Sequence, residues 1–512
     1  MMDSVAGVTI PAGVPDPAQP QHLAKGCGLV SRYRQMALLC VALLCAVTIG
    51  AGTAVAQLLP PRLALWRIPR VTGRVFAAPG PVLRSASSAA PGSDGAVLGH
   101  GATPAGLSAA VSPLLSSLAL GRRVGLDVID LGTGQALYSR ATGSAFAPAS
   151  TAKLAVAVAA LHVLGPGARI ATRVVAGPAA SSVILVGGGA PTLAAARPPA
   201  SDYPQPATLQ SLAAVTAAAL RARGQDAIRL GYDTSLFTGP AFASGWSPSY
   251  VTSGNVTAIT SLEVDQGRLT RTGMPQDADD PANNEPRSTA PAANAAAAFA
   301  RFLTAAGIRV LGPATQAHAA AGSATLASVS SPPVAEIVQW MLTESNNVIA
   351  EDLARQVAIA TGHPASFSGA AAAELAVLRG LGVTSGVQLV DGSGLSPRDR
   401  LTPAAEVQLL GLAAAQPRLR AVITGLPVAG FSGTLAPGGS VFGEMGRGAL
   451  GVVRAKTGNL NTVAALAGIA YARDGQLLGF AMMADRLSAS QLDAAGADMA
   501  RLATILAGCG CR

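Results

Sequence analysis

The alternation of apolar and polar residues changes period several times along this chain of 512 residues, and each change predicts an element. Residues 124–130 (VGLDVID) read as a strand, Gly132-Thr133-Gly134 as a turn and residues 135–140 as the returning strand of a hairpin. Pro148-Ala149-Ser150 opens an apolar helix that Gly165-Pro166 stops. Val334, Ile337, Val338, Met341 and Leu342 fall on one face of a later helix. Near the end, strand-length runs at 452–457, 463–472 and 477–483 are separated by turns at 458–461 and 473–475. A helix over about 488–506 then closes the chain, with Leu492, Met499, Leu502 and Ile505 on its apolar face. Two strands from the start and three from the end predict one five-stranded antiparallel sheet backed by helices, an α+β fold. Residues 174–330 hold short strand-like runs, turns and a polar, acidic patch at 276–288, and read as one or more inserted accessory domains between a first part (106–173) and a second part (331–512) of the main domain.

The N-terminal region follows a different pattern. Residues 36–59 carry no charge and, at roughly 1.5 Å per residue, are long enough to span a bilayer. Lys25, Arg32 and Arg34 precede them in a 1–35 leader or cytoplasmic tail, and Arg62, Arg67 and Arg70 follow, so orientation by charge is weakly specified. Ala54-Val55-Ala56 also fits a signal cleavage site, which leaves a single-pass anchor and a cleaved leader both open. Either places the rest of the chain outside the cytoplasm, membrane-anchored or secreted to the cell wall. Residues 60–105, rich in Ala, Gly, Pro and Ser, read as a disordered linker.

Composition narrows the chemistry. The net charge of +9 reflects few acids rather than basic blocks, so a nucleic-acid partner is not expected, whereas an anionic wall or membrane surface is compatible. No cysteine lies between Cys45 and Cys509, which leaves no disulfide framework or zinc site; Cys509 and Cys511 read as an unpaired or loosely bridged tail. The histidines (His22, His100, His162, His318, His363) form no H-E-x-x-H or close pair, so no metal and no cofactor is expected. There is no G-x-S-x-G, and Gly187-Gly188-Gly189 lacks the lysine and helix of a phosphate-binding loop.

Of the 36 basic residues only Lys25, Lys153 and Lys456 are lysines. An arginine stays protonated and cannot act as a base, so a lysine kept in an arginine-rich chain marks a task that arginine cannot perform. Ser150 and Lys153 lie one turn apart at a helix start, as a nucleophile and its base would. Ser345-Asn346-Asn347 follows the helix of residues 334–342, where a hydroxyl can relay a proton and an amide can hold the base. Lys456-Thr457-Gly458 stands at a predicted strand end, an ammonium and a hydroxyl suited to a carboxylate, with a glycine permitting close approach of a substrate backbone. Burial and the nearby charge of Lys456 are both expected to discourage protonation of Lys153.

The ordered set S-x-x-K, S-x-N, K-T-G resembles that of the penicillin-binding proteins. Spacings of 195 from Ser150 to Ser345 and 111 from Ser345 to Lys456 are similar to the low-molecular-mass D-alanyl-D-alanine carboxypeptidase/endopeptidases that carry a large insertion between the first two motifs. Residues 148–154 (PASTAKL), 235–240 (SLFTGP), 246–250, 264–268 (VDQGR), 391–395 (DGSGL) and 432–435 (SGTL) extend the likeness over about 107–506. The resemblance implies a transpeptidase/β-lactamase-like α/β/α sandwich and an enzyme acting on peptidoglycan stem peptides, with β-lactams as covalent inhibitors. It implies that Ser150 is acylated, Lys153 is the base, Ser345 passes the proton and Asn347 positions groups. It further implies that Lys456 and Thr457 bind carboxylate, while the N–H groups of Ser150 and Asn459 stabilise the oxyanion. Two positions depart from the family: Ala190 replaces an Asp in the glycine-rich turn, and Asn459 replaces a small hydroxyl after K-T-G. A β-lactamase and a catalytically inactive wall-binding or penicillin-sensing protein are the alternatives.

Overall fold

The computed structural model describes residues 102–269, 285–438, 440, 442 and 445–511. The leader, the 36–59 segment, nearly all of the linker and most of the acidic patch lie outside them. No helix among the described residues is long and apolar enough to cross a membrane.

The described chain opens with a helix that the hydrophobic pattern did not single out. This helix, α1 (Pro104–Leu115), starts with a proline in its first turn, is capped by Thr103 Oγ1, and buries Leu107, Val111 and Leu115 at four-residue spacing. Its Ala, Ser, Gly and Pro content matches the linker before it, which hides it in the sequence. The hairpin follows as expected, β1 (Val124–Asp130) and β2 (Ala136–Arg140), and a 3-10 turn at Ala149–Ala152 leads into α2 (Lys153–Val163).

Residues 171–330 build a second sheet. Its elements are β3 (Ala171–Ala176), β4 (Ser182–Val186), α3 (Leu209–Arg221), β5 (Ala227–Asp233), the single turn α4 (Ser249–Thr252), α5 (Pro291–Ala305), β6 (Arg309–Val310), β7 (Thr315–Gln316) and β8 (Thr325–Ser330). The strand order is β6-β5-β4-β3-β8, with β7 beside β5. The crossover through α3 makes β4 and β5 parallel, while β3 pairs antiparallel with both β4 and β8. Val174, Leu185, Leu212, Leu230 and Phe299 join one core under α3 and α5. This sheet begins at Ala171, ahead of the boundary expected at 174.

The chain then returns to the main body through α6 (Val334–Thr343), α7 (Asn347–Ala360), α8 (Phe367–Gly380), the small ribbon β9 (Val387–Gln388) and β10 (Arg400–Leu401), α9 (Pro403–Ala415) and α10 (Arg420–Gly425). It ends with β11 (Val453–Leu460), β12 (Val463–Tyr471), β13 (Leu477–Asp485) and α11 (Leu492–Gly508). Cys509 and Cys511 are bonded to each other, and Cys509 is buried against α11's core.

The five-stranded sheet has the order β11-β12-β13-β1-β2, antiparallel throughout. Successive side chains sort to opposite faces: Ala464, Leu466 and Ala470 pack with α1 and α11, whereas Ala465, Ala467 and Ile469 pack with α2, α6, α7 and α9. Both faces are covered, which explains why these strands read as continuous apolar runs rather than alternating ones. Helix α2 is buried from Lys153 through Leu161, as expected of a helix apolar on all sides. Its place in the core, directly after the 3-10 turn that packs against the edge strand β11, fixes the site.

Candidate active site

The backbone around Ser150 is held from three sides. Ala149 has φ +48°, and Thr151 Oγ1 donates to Pro148 O at 2.8 Å while also contacting Glu406 Oε1 of α9. Glu406 is fully buried, and desolvation pushes its carboxyl up to about 8 against the lowering effect of the Thr151 hydrogen bond. Lys153, first residue of α2, has no exposed surface. Its Nζ lies 2.8 Å from Ser150 Oγ, 2.7 Å from Asn347 Oδ1 and 2.6 Å from the carbonyl of Ser393. Burial lowers its pKa to about 7 against the opposing pull of Asp391, Glu351 and Asp399. Of the two causes expected from sequence, burial and a neighbouring cation, desolvation is the one that brings this lysine down.

The second motif sits where α6 gives way to α7. Ser345 takes φ +53° in the reversal, Asn346 caps α7 by accepting from Ile349 N, and Asn347 begins that helix. Asn347 Nδ2 donates to Asn255 O at 2.9 Å, which fixes its amide with the oxygen towards Lys153.

The third motif corrects an expectation. Lys456, Thr457 and Gly458 lie within β11, which continues to Leu460, instead of ending a strand at a turn. Pairing of β11 with β12 runs unbroken from Val453 to Leu460 because Asn459 and Leu460 face Ala464 and Val463, small or β-branched partners that extend the ladder. A Cβ on Gly458 would stand 2.5 Å from Pro148 O, so the glycine admits the protein's own nucleophile loop, a tighter constraint than the substrate approach expected from sequence. Buried Lys456 Nζ lies 2.8 Å from Ser345 Oγ and 2.9 Å from Thr457 O. Burial, followed by the charge of Lys153, holds Lys456 well below the usual lysine range. Thr457 Oγ1 donates to Thr434 Oγ1 at 2.8 Å.

These groups meet in one cleft of about 370 Å³ lined by Ser150, Ser345, Asn347, Thr434 and Asn459 together with Tyr250 and Arg287 from the intervening segment. All eight residues singled out from sequence therefore lie in or directly against one site. Among the described residues no group of His, Cys, Asp and Glu is placed to hold a metal ion.

Several residues that shape this site carry no role that the sequence alone assigns. Asp391 and Ser393 belong to the DGSGL stretch, Thr434 to SGTL, and Trp246 to the stretch at 246–250; the likeness flagged these positions but not their contacts. A buried set of acids, Glu263, Glu351, Asp352, Glu374 and Asp399, surrounds Arg355 and the Asp391 turn, and desolvation raises the pKa of each of these five. They are scattered from 263 to 399 in the chain, so no local motif announces them.

The model of the family described as D-Ala-D-Ala carboxypeptidase 3 (S13) matches residues 107–286 and 270–506. The chain belongs to the S13 D-Ala-D-Ala carboxypeptidase family. Relatives of this family include a carboxypeptidase, DacB, of Mycolicibacterium smegmatis, 36% identical over 414 residues, covering 80% of this chain and 85% of the relative. A carboxypeptidase of Mycobacterium tuberculosis is 38% identical over 423 residues, 80% of this chain and 86% of its own. In fold, the S13 chain is similar to penicillin-binding protein 4 of Haemophilus influenzae, with a TM-score of 0.61 at 21% identity over 77% of this chain and 98% of that one. The Haemophilus protein has also been solved in complex with a β-lactam. The S13 chain is thus a serine-type D-Ala-D-Ala carboxypeptidase of the penicillin-binding kind.

Proposed function

We propose that Ser150 is the nucleophile and Lys153 its base, cleaving D-alanyl-D-alanine ends of peptidoglycan stem peptides through an acyl-enzyme. The observation that carries this reading is the set of three contacts at Lys153 Nζ. A neutral amine has two N–H groups and one lone pair. Asn347 Oδ1 and Ser393 O can only accept, so they take both N–H groups, and the lone pair is left for the Ser150 hydroxyl.

Substrate binding and base activation are linked in this arrangement. The terminal carboxylate, docking on Lys456 and Thr457, stabilises the ammonium of Lys456. A charged Lys456 then disfavours a charge on Lys153, which keeps the base neutral when substrate is present. Ser150 Oγ attacks the penultimate carbonyl as Lys153 takes its proton. The oxyanion is held by the N–H groups of Ser150 and Asn459. Ser345, hydrogen-bonded to Lys456, hands a proton to the departing D-alanine nitrogen as the C–N bond breaks and takes a replacement from the Lys456 ammonium. Water then hydrolyses the ester, giving a proton back to Lys456 through Ser345 while Lys153 returns its own to Ser150. A β-lactam amide would enter the same steps and stall at the ester, since its leaving nitrogen stays tethered.

The protein is further proposed to work outside the cytoplasm, delivered by residues 36–59 as an anchor or cleaved leader; their lack of charge supports this. Release of D-alanine from a muramyl pentapeptide, and the mass of the penicillin adduct, test the assignment. Ser150→Ala is expected to abolish both while the protein stays folded; D-alanine release at the normal rate would overturn it.

A further inference from the structure

We propose that Asp391, together with Trp246 of the intervening segment, is a positioning residue for the catalytic lysine: it locks the 391–396 turn so that the Ser393 carbonyl receives one N–H of Lys153. This rests on the reading of Lys153 as base.

Asp391 is buried and makes a full set of contacts. Its Oδ1 accepts from Gly394 N at 2.6 Å and Ser393 Oγ at 3.4 Å; its Oδ2 accepts from Ser396 N at 2.7 Å and Trp246 Nε1 at 2.6 Å. From the other side Glu351 Oε1 accepts from Gly392 N at 3.1 Å and Ser393 N at 2.9 Å. With the amide of Ser393 turned to Glu351, its carbonyl faces Lys153 Nζ. The turn is also pressed against the nucleophile loop, because a Cβ on Gly394 would collide with the carbonyl of Ala149. Trp246 is fixed in turn by edge-on packing against Phe367, with ring centroids 5.3 Å apart.

Both acceptors that occupy the N–H groups of Lys153 are therefore held from residues 246–255. Trp246 steadies the Asp391 turn, and the Asn255 carbonyl orients the Asn347 amide. If the turn shifts, one N–H of the neutral amine loses its acceptor, the amine rotates, and the lone pair no longer points at Ser150. The intervening segment thus does more than line the cleft. It sets the orientation of the base.

Asp391→Asn keeps the side chain's shape but sets an N–H against donors that need an acceptor. Trp246→Phe keeps a ring and deletes one donor. The measurement is the saturable acylation of Ser150 by a fluorescent penicillin across the acid limb of the pH profile, which separates the acylation rate constant from non-covalent affinity. Charged and titratable groups facing this region are Asp391 and Asp399 of the same segment, Glu351 and Arg355 of α7, Glu374 of α8, Lys456 of β11 and Tyr250 of the intervening segment. Since Asp391 raises the pKa of Lys153, removing its charge moves the acid limb to lower pH.

Asp391→Asn is expected to lower the acylation rate constant on the order of 10–100-fold with affinity unchanged, and to displace the limb. Trp246→Phe is expected to lower the same constant several-fold and leave the limb in place. A folded Asp391→Asn protein that loses non-covalent affinity and keeps its acylation rate constant would overturn the proposal, as would both variants acylating within about two-fold of the unmodified protein. Should Asp391→Asn fail to fold, an unchanged rate constant in Trp246→Phe is enough to overturn it. Failure of the unmodified protein to be labelled on Ser150 would instead defeat the underlying assignment.

Discussion

At the scale of single residues, the site depends on what each side chain can donate and accept. Lys153→Arg preserves a positive charge but not a lone pair, so it is expected to reduce acylation by about 10²–10⁴-fold. Normal labelling of that variant by penicillin would refute the base assignment. Gly458→Ala puts a methyl group against Pro148 O, and is expected to cost about 1–3 kcal/mol of stability in a denaturant titration and to slow acylation. Chemical identity at this scale was legible in the sequence, because lysine is so rare here that the two in the folded region drew notice. The reason for Gly458 was not, since the carbonyl it makes room for lies some three hundred positions away in the chain.

At the scale of elements, the nucleophile loop, α2 and α9 act as a unit. Thr151 Oγ1 sits between Glu406 Oε1 and Pro148 O, so α9 braces the turn that presents Ser150. Glu406→Gln retains a hydrogen-bonding group and is expected to acylate within a few-fold of the unmodified protein, whereas Glu406→Ala leaves the turn unbraced and acylates more slowly; equal rates for the two variants would remove this role. Strand and helix positions in the main body could be read from periodicity, because burial on both faces gave long apolar runs at 463–472 and 477–483. Two elements escaped for physical reasons. Helix α1 is made of the same small residues as the linker, and β11 runs past its glycine because pairing with β12 outweighs the turn propensity of Gly458 and Asn459.

At the scale of the whole molecule, the core holds an unusual load of acids. Glu263, Glu351, Asp352, Glu374, Asp399 and Glu406 are buried, and burial raises each of them above its unfolded value. The folded state then binds more protons than the unfolded one, so this contribution is fully present below the ordinary carboxylate range and lost as pH rises through the folded values, from about 7 for Glu351 upwards. Lys153 and Lys456, both lowered by burial, act in the opposite direction, Lys153 only above about 7, and are outnumbered by the six acids. The melting temperature is accordingly expected to fall between mildly acidic and neutral pH, and a steady rise over that range would contradict this. The second sheet was legible only as an insertion, because its strands are short and its parallel pairing runs through α3, which no local pattern reports.

The proposed mechanism requires Lys153 to be neutral enough near neutral pH to accept the Ser150 proton. With only three lysines in the chain, labelling lysine with ¹³C at Cε gives a spectrum in which Lys456→Arg and Lys25→Arg assign the signals. The Lys153 signal is expected to titrate near 7, far below an ordinary lysine. Titration of Lys153 in the usual range above about 10 would contradict it.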